Sequence, residues 1–177
     1  MRAGVEETLR TLGGEQLGAV NLRRMLDAEL PDGVLPVALE DQLAELVALR
    51  EEGKIGGIGI SNATIDQVET AIQAAGIVCV QNPFSLLDRH DADVLDRCRE
   101  REIAYVPFFP LGSAFPGIPK VTDNEAVRAV AQRVGATPAQ VGLAWLLAHG
   151  ESILLIPGTS SLAYLEPRPP RGEHERR

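Results

Sequence analysis

Polar or aromatic side chains stand repeatedly at or just after short apolar runs, where they could bind a ligand. Asn21 falls near the end of LGAVNL, Ser61 and Asn62 close IGGIGISN, and Gln81 and Asn82 close IVCVQN. Phe108 and Phe109 lead into Pro110-Leu111-Gly112-Ser113, and Gly158, Thr159 and Ser160 follow SILLIP. Amides and hydroxyls converging on one rim can hold a carboxamide and phosphates, and an aromatic ring can stack on a heterocycle. Any one Ser or Asn after a strand is more often a helix cap than a ligand contact, and Ser61-Asn62 directly precede a helical pattern. Five such positions together favour the ligand reading, although composition does not name the ligand. Metal chemistry is not indicated. Cys79 lies in an apolar run and Cys98 in a charged helical pattern, with neither a CxxC nor a His at ligand spacing. His90, His149 and His174 are isolated.

The elements that must position these residues alternate. Val5, Leu9 and Leu12 recur at helical spacing and Gly13-Gly14 ends that helix. LGAVNL reads as a strand, followed by a loop bearing Pro and Gly through about Pro36. Leu39, Leu43, Leu46 and Val47 form a helical stripe, IGGIGIS a strand, and Ile65, Val68 and Ile72 another helix. IVCVQ is an apolar strand, Val94, Leu95 and Cys98 mark a helix, and IAYVPF is the next strand. After the Gly/Pro loop PLGSAFPGIPK come two helices within residues 129–147 and a last strand, SILLIPG. About five strands that are apolar on both faces, separated by helices, predict an α/β fold with a parallel sheet. In such folds ligands bind at the carboxyl ends of the strands, which is where the polar residues fall. Residues 167–177, rich in Pro and Arg, read as a disordered tail.

Residues 129–147 also fit a helix-turn-helix outline around Gly135 and Thr137. The formal net charge of −8 opposes a phosphate-tracking surface. A second helix without Lys, Arg or Asn is a poor reader of bases. Nucleic acid is therefore not an expected partner. A membrane is not expected either, since no run approaches the roughly 18 to 20 apolar residues of a span. MRAGVEETLR lacks the apolar core of a signal peptide, and two free thiols suit a reducing cytoplasm, so a cytoplasmic location is expected.

REEGKIGGIGISN, VCVQNPFSLLDR, IAYVPFFPLGS, ATPAQVGLAWLL and LLIPGTSS, in this order, resemble the aldo-keto reductase family over about residues 2–166. The resemblance implies a TIM (β/α)8 barrel, here partial and without its first strands, occupying residues 1–166. It implies NADPH as cofactor and a small-molecule aldehyde or ketone as substrate. Ser61, Asn62 and Gln81 would hydrogen-bond the nicotinamide carboxamide, and Phe108 would stack on its ring. Leu111, Gly112 and Ser113 would line the pyrophosphate, largely through backbone N–H groups. Gly158, Thr159 and Ser160 would face the adenosine 2′-phosphate. Gly158 stands where many relatives carry Lys, which leaves the preference for NADP over NAD open. In the family a Tyr donates the proton, tuned by a Lys and an Asp from the first strands. By resemblance those positions precede this chain, which implies a shortened copy that is inactive alone. The fourth catalytic position, a His in relatives, corresponds to Asn21. An Asn can donate a hydrogen bond to a carbonyl oxygen but cannot share a proton; a plain strand end is the alternative. The resemblance makes residues 129–147 outer helices, with Val141, Leu143, Leu146 and Leu147 turned inward. Missing strands would leave open barrel edges and a route to self-association. A non-catalytic module that binds cofactor or a partner chain is the alternative function.

Overall fold

The structure, a computed structural model, describes residues 1–24, 36–113, 115 and 117–158. They form two compact units, one of Met1–Pro83 with His90–Val106, the other of Phe84–Arg89 with the described part of Pro107–Arg177. The expected tail and most of the first Pro/Gly loop lie outside the described residues.

The first unit alternates helix and strand: α1 (Arg2–Leu12), β1 (Leu17–Arg23), α2 (Leu39–Glu51), β2 (Ile55–Ser61), α3 (Ile65–Ala75), β3 (Cys79–Gln81), α4 (Ala92–Glu100) and β4 (Ala104–Tyr105). The strands form one parallel sheet in the order β1-β2-β3-β4. Register aligns Leu22 with Ile60, Ile60 with Val80, and Val80 with Tyr105. Residues in register share a face, so these four build one apolar surface, and all are buried. The helices cover it: α2 packs on β2 and α3, and α4 on β4. The stripe on α2 runs Leu39, Leu43, Leu46 and Leu49, all buried, while Val47 is only half-buried. Arg97 of α4 reaches Glu69 of α3. At the other end Arg2 pairs with Glu45 at 2.9 Å and Glu52 at 2.6 Å, and Lys54 pairs with Glu6 at 2.6 Å and Glu52 at 3.0 Å.

The second unit contains a 3-10 turn (Val121–Asp123), α5 (Glu125–Val134) and α6 (Pro138–Leu147). Asn124 caps α5, accepting from Val127 N at 3.1 Å, and Gly135 ends it in the left-handed conformation. Thr137 and Gln140 form a capping box at the start of α6, and Pro138 occupies the first turn, where its missing N–H costs nothing. The helix, turn and helix are therefore present, and α6 is used for packing. Leu146 is fully buried, and Trp145 stacks on Phe84 at 5.9 Å with the Arg89 guanidinium 4.6 Å from its ring centre. Leu147, expected to turn inward, is instead 53% exposed. Val141 and Leu143 are half-buried, while Gly142 between them is buried, and a Cβ there would lie 2.9 Å from both Leu111 Cδ2 and Val121 Cγ1.

Among the described residues the sheet has four strands rather than about five. Residues 152–158 carry no strand: the Ile153 N–H turns back to Gly150 O at 3.4 Å, Pro157 has no N–H, and Leu154 and Ile156 are exposed. The strand expected over IAYVPF is cut short in the same way. Val106 N still donates to Val80 O at 2.8 Å, and Pro107 then breaks the ladder. Among the described residues no helix is long and apolar enough to cross a membrane.

Two outcomes follow from this packing. Leu46→Ala, which empties a fully buried site on α2, is expected to destabilise the protein by about 2–5 kcal/mol in urea titrations. Hydrogen bonds from Arg2 and Lys54 hold the Glu52 carboxyl down at about 2, and Lys54 lowers Glu6. A carboxylate depressed on folding stabilises above its ordinary range and loses that contribution as pH falls through its folded value. Glu52→Gln is therefore expected to lower the urea midpoint at pH 7, with the difference from wild type closing between pH 4.5 and about 2.

Candidate functional site

Opposite the helix-covered surface, the sheet presents two adjacent rows: Asn21, Gly59 and Cys79, then Arg23, Ser61 and Gln81. Asn21 reaches across β2. Its Nδ2 donates to Gln81 Oε1 at 2.8 Å, and the Cys79 thiol donates to its Oδ1 at 3.2 Å. Gly59 makes the crossing possible. A Cβ on residue 59 would stand 1.9 Å from Asn21 Oδ1 and 2.5 Å from Cys79 Sγ, far inside contact distance. Burial pushes the Cys79 thiol above its ordinary range, so at neutral pH it remains an S–H donor. Cys98, fully buried in α4, is pushed up to about 12, by burial first and then by Cys79.

The turn after β2 orders the next groups. Asn62 adopts the left-handed conformation, with φ of 57°, and its N–H donates to Gln81 O at 3.1 Å. Its side-chain Nδ2 donates to Arg24 O at 3.0 Å, and Arg24 N donates to Ser61 O at 2.8 Å. This pair of bonds ties the chain leaving β1 to the end of β2. Ser61 and Asn62 do not cap α3. Thr64 does, in a capping box with Gln67. Ser61 is buried at the row's end beside Gln81. Asn82 is committed to the fold. It is 2% exposed, accepts from Ala63 N at 3.1 Å, and donates to Ala63 O at 2.7 Å and to Asp91 Oδ2 at 3.0 Å.

The second unit assembles a different set. Phe108, Leu111, Gly112 and Gly158 line one cleft of about 310 Å³, together with Phe109, Pro110, Ile156 and Pro157. Phe109 is left-handed at φ 53°, and Gly112 N donates to Phe109 O at 2.8 Å, closing a tight turn. Only glycine fits at 112: φ is +79°, and a Cβ would lie 2.0 Å from the Pro119 carbonyl oxygen. Ser113 Oγ accepts from Phe115 N at 3.1 Å. The Gly112 N–H and one lone pair of Ser113 are thus occupied within the loop. Thr159 and Ser160 lie outside the described residues.

The strand-end residues named from sequence therefore fall into two groups: Asn21, Ser61, Asn62 and Gln81 on the first unit, and Phe108, Leu111, Gly112 and Gly158 on the second. The contributions of Arg24 and Gly59 were not foreseen. The signal for Gly59 was present, since a glycine inside a strand pattern marks a close approach. Among the described residues no cluster of His, Cys, Asp and Glu could hold a metal ion.

A family model described as the Aldo/keto reductase family matches residues 1–168. Pyridoxine 4-dehydrogenase of Escherichia coli K12 is 42% identical over 167 residues, which are 93% of this chain and 55% of that protein. An uncharacterized oxidoreductase of Schizosaccharomyces pombe is 32% identical over 166 residues, 94% of this chain and 50% of that one. The chain spans about half the length of the curated relatives it matches. Among solved structures, the aldo/keto reductase from Klebsiella pneumoniae in complex with NADP and acetate superimposes with a TM-score of 0.75 at 24% identity, over 93% of this chain and 56% of that one. That likeness concerns the fold, a partial α/β barrel of parallel strands and helices. With the family match running through both units, the chain belongs to the aldo/keto reductase family.

Proposed function

We propose that this chain carries the cofactor-holding part of an NADPH-dependent reductase of small-molecule aldehydes and ketones. The observation that carries this reading is the donor set at the strand ends. The Gln81 amide has its oxygen engaged by Asn21, Ser61 stands beside it, and Asn62 is held by the turn. Amides and a hydroxyl of this kind suit a carboxamide. The family resemblance, rather than any placement of the second unit, assigns Phe108 to stacking on the nicotinamide ring. In this reading Leu111, Gly112 and Ser113 face the pyrophosphate, and Gly158, Thr159 and Ser160 the 2′-phosphate side. NADPH, when bound, supplies the hydride. Asn21 has a second Nδ2 hydrogen beyond the one given to Gln81, and we assign it to the carbonyl oxygen of the substrate. The complex of the Klebsiella pneumoniae reductase with NADP supports the choice of cofactor.

We assign no proton donor to this chain. It has two tyrosines. Tyr105 is fully buried on the helix-covered side of the sheet, and Tyr164 lies outside the described residues. A second reading is a non-catalytic module that binds cofactor and associates with itself through β1. It is favoured by the exposure of β1, in which Leu22 is the one buried residue. Size exclusion against concentration separates the two readings, since self-association requires a concentration-dependent shift.

Titration of NADPH fluorescence is expected to show saturable binding. Gln81→Ala is expected to weaken it by about tenfold, the loss of roughly one hydrogen bond, and Phe108→Ala to weaken it as well. Absence of binding to a folded sample would overturn the assignment.

A further inference from the structure

We infer that Cys79 and Asn21 are positioning residues that lock the Gln81 amide in a single orientation, oxygen toward Asn21 and nitrogen free, so that the strand-end site selects a ligand by its carbonyl oxygen. On the cofactor reading proposed above, that oxygen is the carboxamide C=O. A side-chain amide can face either way, and which way is decided by its neighbours. The chain of decisions here begins at the thiol. The half-buried Cys79 thiol is placed as a donor, so it calls for the oxygen of Asn21, 3.2 Å away. Nδ2 of Asn21 is then turned to Gln81, 2.8 Å away, and calls for the oxygen of that amide. What remains of Gln81 is Nε2, which among the described residues no acceptor holds. Gly59 is the floor of this crossing, since any side chain there would occupy the place of the Asn21 amide.

The orientation excludes the opposite mode, in which Gln81 would accept from the ligand's NH₂. The two modes differ in a thermodynamic cycle between NADP and its 3-acetylpyridine analogue, which keeps the carbonyl and lacks the NH₂. Calorimetry of the full chain is expected to give the same factor of loss for both ligands on Gln81→Ala. A loss confined to NADP would overturn the inference. Asn21→Ala is expected to weaken both ligands by about threefold to tenfold in the wild-type background and not at all in the Gln81→Ala background, because Asn21 acts through Gln81. An undiminished effect in the double variant would overturn the positioning role. Gly59→Ala, whose methyl group displaces both the Asn21 amide and the Cys79 thiol while leaving Gln81 unchanged, is expected to reproduce the Asn21→Ala ratios. A thiol-alkylation rate gives a readout independent of any cofactor: Asn21→Ala is expected to speed modification of Cys79 while Cys98 stays protected. An unchanged rate would show that the two side chains do not hold each other. If neither dinucleotide binds, the carboxamide assignment falls with the cofactor reading, and the alkylation rate alone decides the Cys79–Asn21 contact.

Discussion

Parallel strands in register turn aligned residues to the same side, and that constraint organises the first unit. It places Leu22, Ile60, Val80 and Tyr105 in one apolar row that the helices cover. The alternate residues Asn21, Gly59, Cys79, Ser61 and Gln81 must then gather on the other side. A one-residue slip of β2 would exchange the two sets, placing Ser61 among the leucines of α2 and Ile60 among the amides. Burial of the apolar row therefore fixes the polar rows as well, and the core and the candidate site are two faces of one register.

Much of this was legible because it is local. The α2 stripe follows from a 3.6-residue period, the ends of α1 and α5 from Gly13 and Gly135, and the start of α6 from Thr137-Pro138. What the sequence could not display depends on distant partners. The stretch 152–158 reads as a strand as convincingly as IVCVQ does, yet a strand needs a ladder, and the Ile153 N–H turns to Gly150 O instead. Leu147 and Val78 are apolar but exposed, since helical or alternating spacing says which residues share a face and not where that face ends.

The candidate site was half legible for the same reason. Asn21, Gln81 and Asn82 look alike in sequence, as amides at strand ends. Their fates diverge through the turn at Asn62, whose left-handed conformation brings Ala63 against Asn82 and commits that amide to the backbone. Gln81, one residue earlier, faces the opposite way along the strand and meets Asn21. Position in the strand told which residues would gather at an end. Pairing across β2 decided which of them stayed available.

An amide at position 21, rather than an imidazole, limits what the row can do. Histidine alters its charge near neutral pH and so can couple a hydrogen bond to a proton. Asn21 has no such equilibrium, and its nearest titrating neighbour, Cys79, is kept as a thiol by burial. The row Asn21, Gly59 and Cys79 therefore holds the same donors and acceptors throughout the neutral range. Its chemistry is that of a fixed hydrogen-bond frame, suited to orienting a carbonyl and unsuited to delivering a proton to one.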